Sequence, residues 1–127
     1  MRCCAARWPG ERHATTSTAV LEELWHLELR GRPPGLAGVT RLAYRLMTPL
    51  LAVDDSTVAL ALDLDEIPAL AANGRIHLAT CRLHGIGLIV SADAEFDDLE
   101  GLRRVDPQAE DALGRLGLTP HPPGARA

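Results

Sequence analysis

The sequence predicts an α/β fold with three layers, in which a short parallel sheet lies between two layers of helices. Segments of helical periodicity alternate with short apolar runs, and the clearest run is IGLIV at residues 86–90. Uninterrupted apolar runs of this length are typical of strands that are buried on both faces, as in parallel sheets. With 127 residues, of which 46% are hydrophobic, the chain is long enough for one domain with its own core.

The first predicted elements are a short strand at residues 14–16 and a helix that follows it. Small and β-branched residues favour the strand, and Ser17 or Thr18 would cap the helix. The apolar stripe of this helix consists of Val20, Leu24 and Leu27.

Glu23 lies on the edge of that stripe, three residues after Val20 and four before Leu27. We therefore expect its carboxylate to face the protein, whereas Glu22 lies elsewhere on the helix. The alternative is that both side chains are solvated helix glutamates.

The sequence of the middle of the chain, from residue 36 onward, predicts two helices and one strand. Residues 36–47 have the spacing of an amphipathic helix, and residues 50–55 have the composition of a short buried strand. A further helix would follow this strand directly, with Asp55 or Ser56 as its N-cap.

The last third of the chain predicts a helix from Asn73, its expected N-cap, to Gly85, its expected end. The apolar run follows it at once. A short strand near residues 103–105, a weak helix near 109–116 and a disordered Pro-rich tail at 120–127 complete the prediction.

Composition excludes several classes of protein. All 13 basic residues are Arg, so P-loop NTPases, Schiff-base enzymes and phospho-receiver domains are excluded, because each needs a Lys at a fixed place. The formal net charge of −4 argues against a surface that binds nucleic acid throughout, although a local basic patch remains compatible with it.

The three Cys residues have no paired spacing, which predicts reduced thiols in a cytoplasmic protein. No apolar run is long enough to predict a membrane span. His77, Cys81 and His84 share one helix face at ligand-like spacing, so zinc is an alternative, but a small core residue at position 81 is the preferred interpretation.

Five acidic residues between positions 93 and 100 follow the apolar run, at the end of a predicted strand. In parallel sheets ligands bind outside the carboxyl ends of the strands. Glu23 could reach the same place, because its helix follows the predicted strand at 14–16. Such a cluster is either splayed into solvent or built around a cation, and oxygen ligands favour Mg²⁺ or Mn²⁺. An EF-hand is excluded because Asp98 and Arg104 stand where Gly and Glu are required. The acids are Asp93, Glu95, Asp97, Asp98 and Glu100.

Other residues leave two interpretations open. Trp25 would either stack on RNA or serve as a core or interface residue. Arg103 and Arg104 would either line a substrate groove or balance the neighbouring acids.

Three stretches resemble the PIN-domain family, and specifically its VapC-type ribonuclease toxins of toxin–antitoxin pairs. They are TTSTAVLEEL, NGRIHLATCRLHGI and IVSADAEFDDLEGLRRVDP, within residues 14–107. The resemblance implies an Mg²⁺ or Mn²⁺ site made by Glu23, Asp93 and Asp97. Three hydroxyl residues would support that site, namely Thr16, Ser17 and Ser91.

The chain departs from the family pattern in two places. The family begins with a strand that carries a first aspartate, and residues 1–13 resemble neither feature, so we predict an irregular segment there and a domain truncated at its N-terminus. The helix aspartate of the family falls at Gly74, whose neighbour Asn73 is neutral.

The predicted organisation is an irregular segment at 1–13, a PIN-like domain at 14–107, and a weak helix with a tail at 108–127. The resemblance implies a metal-dependent endoribonuclease that acts on RNA and is bound by a cognate antitoxin, and it leaves a homodimer open. The alternative is a catalytically inactive PIN remnant that binds proteins through the helices at residues 20–30 and 36–47.

Overall fold

A computed structural model of the chain describes residues 3–8, 11–67 and 69–117. Within these residues the fold is mixed α/β. Its strands are β1 (Cys3–Trp8), β2 (Glu11–Thr15), β3 (Leu88–Val90) and β4 (Arg103–Val105). Its helices are α1 (Thr18–Arg30), α2 (Val39–Met47), α3 (Asp55–Leu62), α4 (Ala72–Leu83) and α5 (Ala112–Arg115), with a 3₁₀ turn at Ala94–Phe96.

The four strands form one sheet in the order β2-β1-β3-β4. β3 and β4 are parallel, with Ile89 opposite Arg104, so the predicted short parallel sheet is confirmed. β1 pairs antiparallel with both β2 and β3, which the sequence did not predict.

The N-terminal segment differs from the prediction. We expected residues 1–13 to be irregular, but β1 and most of β2 lie there, and the strand predicted at 14–16 is the end of β2. Truncation of the domain and its boundaries at 14 and 107 stay predictions.

Helix α1 begins at the first of the two caps that the sequence predicts. Ser17 is the N-cap, and its Oγ accepts a hydrogen bond of 3.2 Å from the Val20 amide. Gly31 ends the helix in the left-handed conformation with φ of 66°, which glycine adopts without a steric penalty.

The segment that leads into α3 is less regular than predicted. The strand expected at 50–55 is reduced to one parallel bridge, in which the Leu51 amide donates to Thr16 O at 2.9 Å. The N-cap of α3 is Asp54, not Asp55 or Ser56, because only Asp54 stands three residues before Thr57 and can exchange both capping hydrogen bonds with it.

Helix α4 begins two residues earlier than predicted. Its N-cap is Ala71, which makes no side-chain cap, and Asn73 lies in the first turn with its Oδ1 2.8 Å from the Gly74 amide. Gly85 follows the helix with φ of 64°, as expected. The weak helix is confirmed as the short α5, and the Pro-rich tail lies outside the described residues.

The core joins α3, α4, β3 and the loop after β3. Its largest fully buried apolar side chains come from α4, β3 and β4 and from the 3₁₀ turn, and they are Leu78, Ile89, Phe96 and Val105. The loop that carries Asp93 is therefore fixed at one end by a strand and at the other by a core aromatic residue. In the described part of the chain, no helix has the length and apolar character to cross a membrane.

Candidate active site

The carboxylate of Glu23 faces the protein, as its place on the helix predicted. Glu23 Oε1 lies 3.2 Å from His77 Nε2, and the Glu23 side chain is 47% exposed while that of His77 is 3% exposed. The buried imidazole therefore holds an acid that is still open to solvent.

The contact between His77 and Glu23 was not predicted from the sequence. From the sequence, His77 was considered as one member of a zinc alternative with Cys81 and His84, and the PIN resemblance also implies a His at this position. In the structure His77 and Cys81 are buried, whereas His84 is exposed at the end of α4. Among the described residues, no group of three or more His, Cys, Asp or Glu side chains is arranged to hold a metal ion.

Asp93 is held at the end of β3 by its neighbours along the chain. The Asp93 amide donates to Ser91 Oγ at 3.1 Å, and Asp93 Oδ1 accepts from the Glu95 amide at 3.0 Å. Asp93 thus caps the 3₁₀ turn at Ala94–Phe96, and the wholly buried Phe96 anchors that turn. The residues Ser91, Asp93 and Phe96 form the pattern Ser-x-Asp-x-x-Phe. Its members are explained by these contacts: Ser91 and Asp93 form the hydrogen bonds of the turn, and Phe96 packs in the core.

Glu23 and Asp93 line the same pocket, which has a volume of about 230 Å³. The pocket lies between α1 and the loop after β3, and Ser91 and Ala92 also line it. Three apolar side chains of α1 complete its wall, namely Val20, Leu24 and Leu27. The structure thus brings together two of the three predicted acids.

Asp97 makes a different contact. Arg104 Nε and Nη2 lie 2.7 and 3.1 Å from the two Asp97 carboxylate oxygens, and Arg104 Nη1 donates to Ser91 O at 3.0 Å. Asp97 lines a second pocket with Asp98, Arg103 and Arg104. Of the two interpretations of Arg104, the structure favours the one in which it balances an acid.

The hydrogen bonds from Arg104 lower the pKa of Asp97 below its ordinary value. Because the folded-state pKa is the lower one, the ion pair contributes stability above the unfolded pKa of about 3.9. That contribution is lost as the pH falls through the folded-state pKa.

We expect the substitution Arg104→Gln to raise the pKa of Asp97 towards its ordinary value, because the bidentate hydrogen bond is removed. Titration of the side-chain carboxyl carbons by NMR would measure this change. The pKa of Asp54, which is lowered mainly by a hydrogen bond from Ser56, provides an internal control that should not move. An unchanged Asp97 midpoint in Arg104→Gln would contradict the prediction.

Gly74 takes the position of the family aspartate, and another acid lies against it. A Cβ atom at position 74 would overlap Glu95 Oε1 and would lie 3.0 Å from Glu95 Cδ. Glu95 was one of the five acids of the loop, and no sequence pattern separates it from the other four. Only the packing of the loop on α4 distinguishes it.

The supporting residues lie where they can hold the two acidic elements in place. Thr16 is wholly buried and joins the start of α1 to Leu51, and Ser17 is the N-cap of α1. Ser91 is buried beside Asp93.

Two carboxylates in one pocket fit some divalent cations and not others. Mg²⁺ keeps several of its waters and is commonly held by one or two carboxylates together with substrate phosphates. Glu23 and Asp93 fit such an ion in number and chemistry, since they are two carboxylate residues that line one pocket. They do not fit a site that encloses the ion with protein ligands, because Asp97 is paired with Arg104.

The fold and the pocket define an α/β protein with an acidic site at the carboxyl end of a parallel strand. The family model for the PIN domain matches residues 2–102, and the chain belongs to the PIN domain family. PIN domains are nucleases that often occur in toxin–antitoxin systems and generally depend on a divalent metal. No curated protein and no solved structure matches the chain.

Proposed function

We propose that this chain is a VapC-type ribonuclease toxin that hydrolyses RNA phosphodiester bonds in the cytoplasm with Mg²⁺ or Mn²⁺. One observation supports this most strongly: Glu23 of α1 and Asp93 of the loop after β3 line one pocket, although they come from distant parts of the chain. Clustered carboxylates are the ligands expected for a cation that assists phosphodiester hydrolysis.

Glu23 and Asp93 are the residues that would hold the cation. When bound, a divalent cation supplies positive charge that stabilises the charge developing on the phosphate. His77 orients the Glu23 carboxylate, and the Ser91 hydroxyl and the Glu95 amide fix Asp93. The chain's own hydrogen bonds therefore set the positions of both acids before substrate arrives.

Asp97 is the third acid that we propose as a ligand of the cation, provided that its ion pair with Arg104 opens. Its carboxylate is held by Arg104, so it would contribute to the site only after leaving that arginine. Thr16, through its backbone carbonyl, and Ser17, through its Oγ, fix the start of the helix that carries Glu23.

We propose a cognate antitoxin as the protein partner, one that inserts an arginine or a helix near the acidic pocket. An arginine would pair with Glu23 and Asp93, since guanidinium groups bind carboxylates strongly. Exposed apolar side chains on α1 also suit a protein partner or a second copy of the chain, because Trp25 is 56% and Leu29 74% exposed.

The test of this function is cleavage of a mixed structured RNA by the purified chain with Mn²⁺ or Mg²⁺. We expect EDTA to abolish cleavage and Asp93→Asn to slow it by at least about 100-fold, because a cation ligand is lost. Asp98→Asn is the matched control, since Asp98 is exposed in the same loop and Asn tolerates its positive φ of 59°. Equal cleavage by Asp93→Asn and Asp98→Asn would contradict the proposed site.

The second candidate is a catalytically inactive PIN domain that binds a protein through α1 and α2. Two observations favour it: α4 has Gly74 where the resemblance places an aspartate, and Asp97 is paired with Arg104. A folded chain that cleaves no RNA with either cation would support this candidate.

A further inference from the structure

The carboxylate of Glu95 fills the space beside Gly74 on α4. A Cβ atom at position 74 would overlap Glu95 Oε1 and would lie 3.2 Å from Leu70 Cδ2. Gly74 is buried within the helix and does not have a positive φ, so its backbone conformation does not require glycine. The glycine is explained instead by the side chain that packs on it.

The backbone of Glu95 belongs to the structure that holds Asp93. The Glu95 amide donates to Asp93 Oδ1 at 3.0 Å, and Phe96, the next residue, is wholly buried in the core. In this loop the Asp93 residue lines the pocket, and the Glu95 side chain packs on Gly74 of α4. If the Glu95 side chain left Gly74, the Glu95 backbone could shift, and the hydrogen bond from its amide to Asp93 Oδ1 would move Asp93 as well.

The face of α4 that receives Glu95 also carries the partner of Glu23. Gly74 and His77 lie three residues apart on the helix, which places them on one face. His77 Nε2 lies 3.2 Å from Glu23 Oε1. Helix α4 thus contacts the Asp93 loop through Gly74 and contacts the Glu23 helix through His77.

We propose that Glu95 is a positioning residue: its carboxylate, seated on Gly74, holds the Asp93 loop against α4 and so sets Asp93 opposite Glu23. Gly74 is required for this arrangement, because a side chain at position 74 would displace the Glu95 carboxylate. For catalysis the inference rests on the proposed function, whereas the seating of the loop is independent of it.

Three variants test the inference. Glu95→Ala removes the carboxylate, and Gly74→Ala displaces it while leaving Glu95 in the chain. Glu95→Gln keeps the length and volume of the side chain. Glu100→Ala, exposed in the same loop, and Gly114→Ala, whose Cβ would meet nothing within 4 Å, are the matched controls.

The first measurement is hydrogen exchange of the amides in residues 91–97. We expect exchange to be about 10-fold faster in Glu95→Ala and in Gly74→Ala, because the loop opens locally more often. Glu95→Gln and both controls should exchange as the parent chain does. Unchanged exchange in Glu95→Ala and Gly74→Ala would overturn the inference.

The second measurement is the affinity for Mn²⁺ by isothermal titration calorimetry, far below the melting temperature. We expect a loss of about 10- to 100-fold in Glu95→Ala and Gly74→Ala, as for residues that orient metal ligands, with recovery in Glu95→Gln. A purely structural role would not change Mn²⁺ affinity in folded protein. If Glu95→Gln bound Mn²⁺ as weakly as Glu95→Ala, Glu95 would be a ligand and the positioning role would be overturned.

The two measurements separate the two hypotheses. Faster exchange in a chain that binds no Mn²⁺ would support the seating of the loop by Glu95 and contradict the proposed function. Mn²⁺ binding that depends on Asp93 but is unchanged in Glu95→Ala, together with unchanged exchange, would overturn the positioning role and leave the proposed function standing.

Discussion

Phe96→Ala is expected to lower the free energy of unfolding by about 3–5 kcal/mol, which is the range for removing a fully buried phenylalanine. Phe96 is 0% exposed and belongs to the core cluster with Leu78 and Ile89. The loss combines the transfer free energy of the ring with the cavity that it leaves. Small domains are stable by about 5–15 kcal/mol, so much of the fold's stability depends on this side chain.

Urea denaturation followed by circular dichroism would measure the change. Leu29→Ala is the control, since Leu29 is 74% exposed and surface substitutions usually change stability by less than about 0.5 kcal/mol. A loss below about 1 kcal/mol for Phe96→Ala would show that the ring is not packed as described. The result bears on function as well, because Phe96 anchors the turn that Asp93 caps.

His77→Ala is expected to slow RNA cleavage by about 10- to 100-fold, the usual cost of losing a group that orients a metal ligand. His77 is buried and reaches Glu23 through Nε2. Without the imidazole, the half-exposed Glu23 carboxylate can take other rotamers. We expect His77→Gln to recover much of the rate, because its amide nitrogen extends to a position similar to that of Nε2.

Single-turnover cleavage assays at one temperature, with thermal melting of each variant, would check this prediction. His84→Ala is the matched control, because His84 lies at the end of the same helix and is exposed. If Ala and Gln at position 77 gave the same rate while both variants remained folded, the hydrogen bond to Glu23 would have no role in catalysis.

The sequence predicted the local parts of the candidate site well. Ser17 caps α1, Gly85 ends α4, and the apolar run forms β3 at Leu88–Val90. Each of these features depends on a few neighbouring residues, so a short stretch of sequence contains the information that determines it. The presence of Glu23 on the inner edge of α1 follows from helical spacing in the same way.

The sequence failed where a segment was short or its pairing was not local. The antiparallel pair of β1 and β2 was missed because its strands show no clear alternation of apolar and polar residues. The strand expected at 50–55 is a single bridge at Leu51, since the Asp54 cap starts α3 at once. Strand pairing depends on partners distant in sequence, and composition alone does not specify them.

By itself, then, the sequence determined which residues carry the acids, the Ser17 cap of α1 and the glycine that follows α4. Only the tertiary structure decided how the acids are used: Asp93 shares a pocket with Glu23, Asp97 pairs with Arg104, and Glu95 packs on Gly74. The physical reason is that carboxylates of one loop have the same chemistry but point in different directions. Their directions are set by the partners that other elements of the fold place beside them, namely Arg104 of β4 for Asp97 and Gly74 of α4 for Glu95.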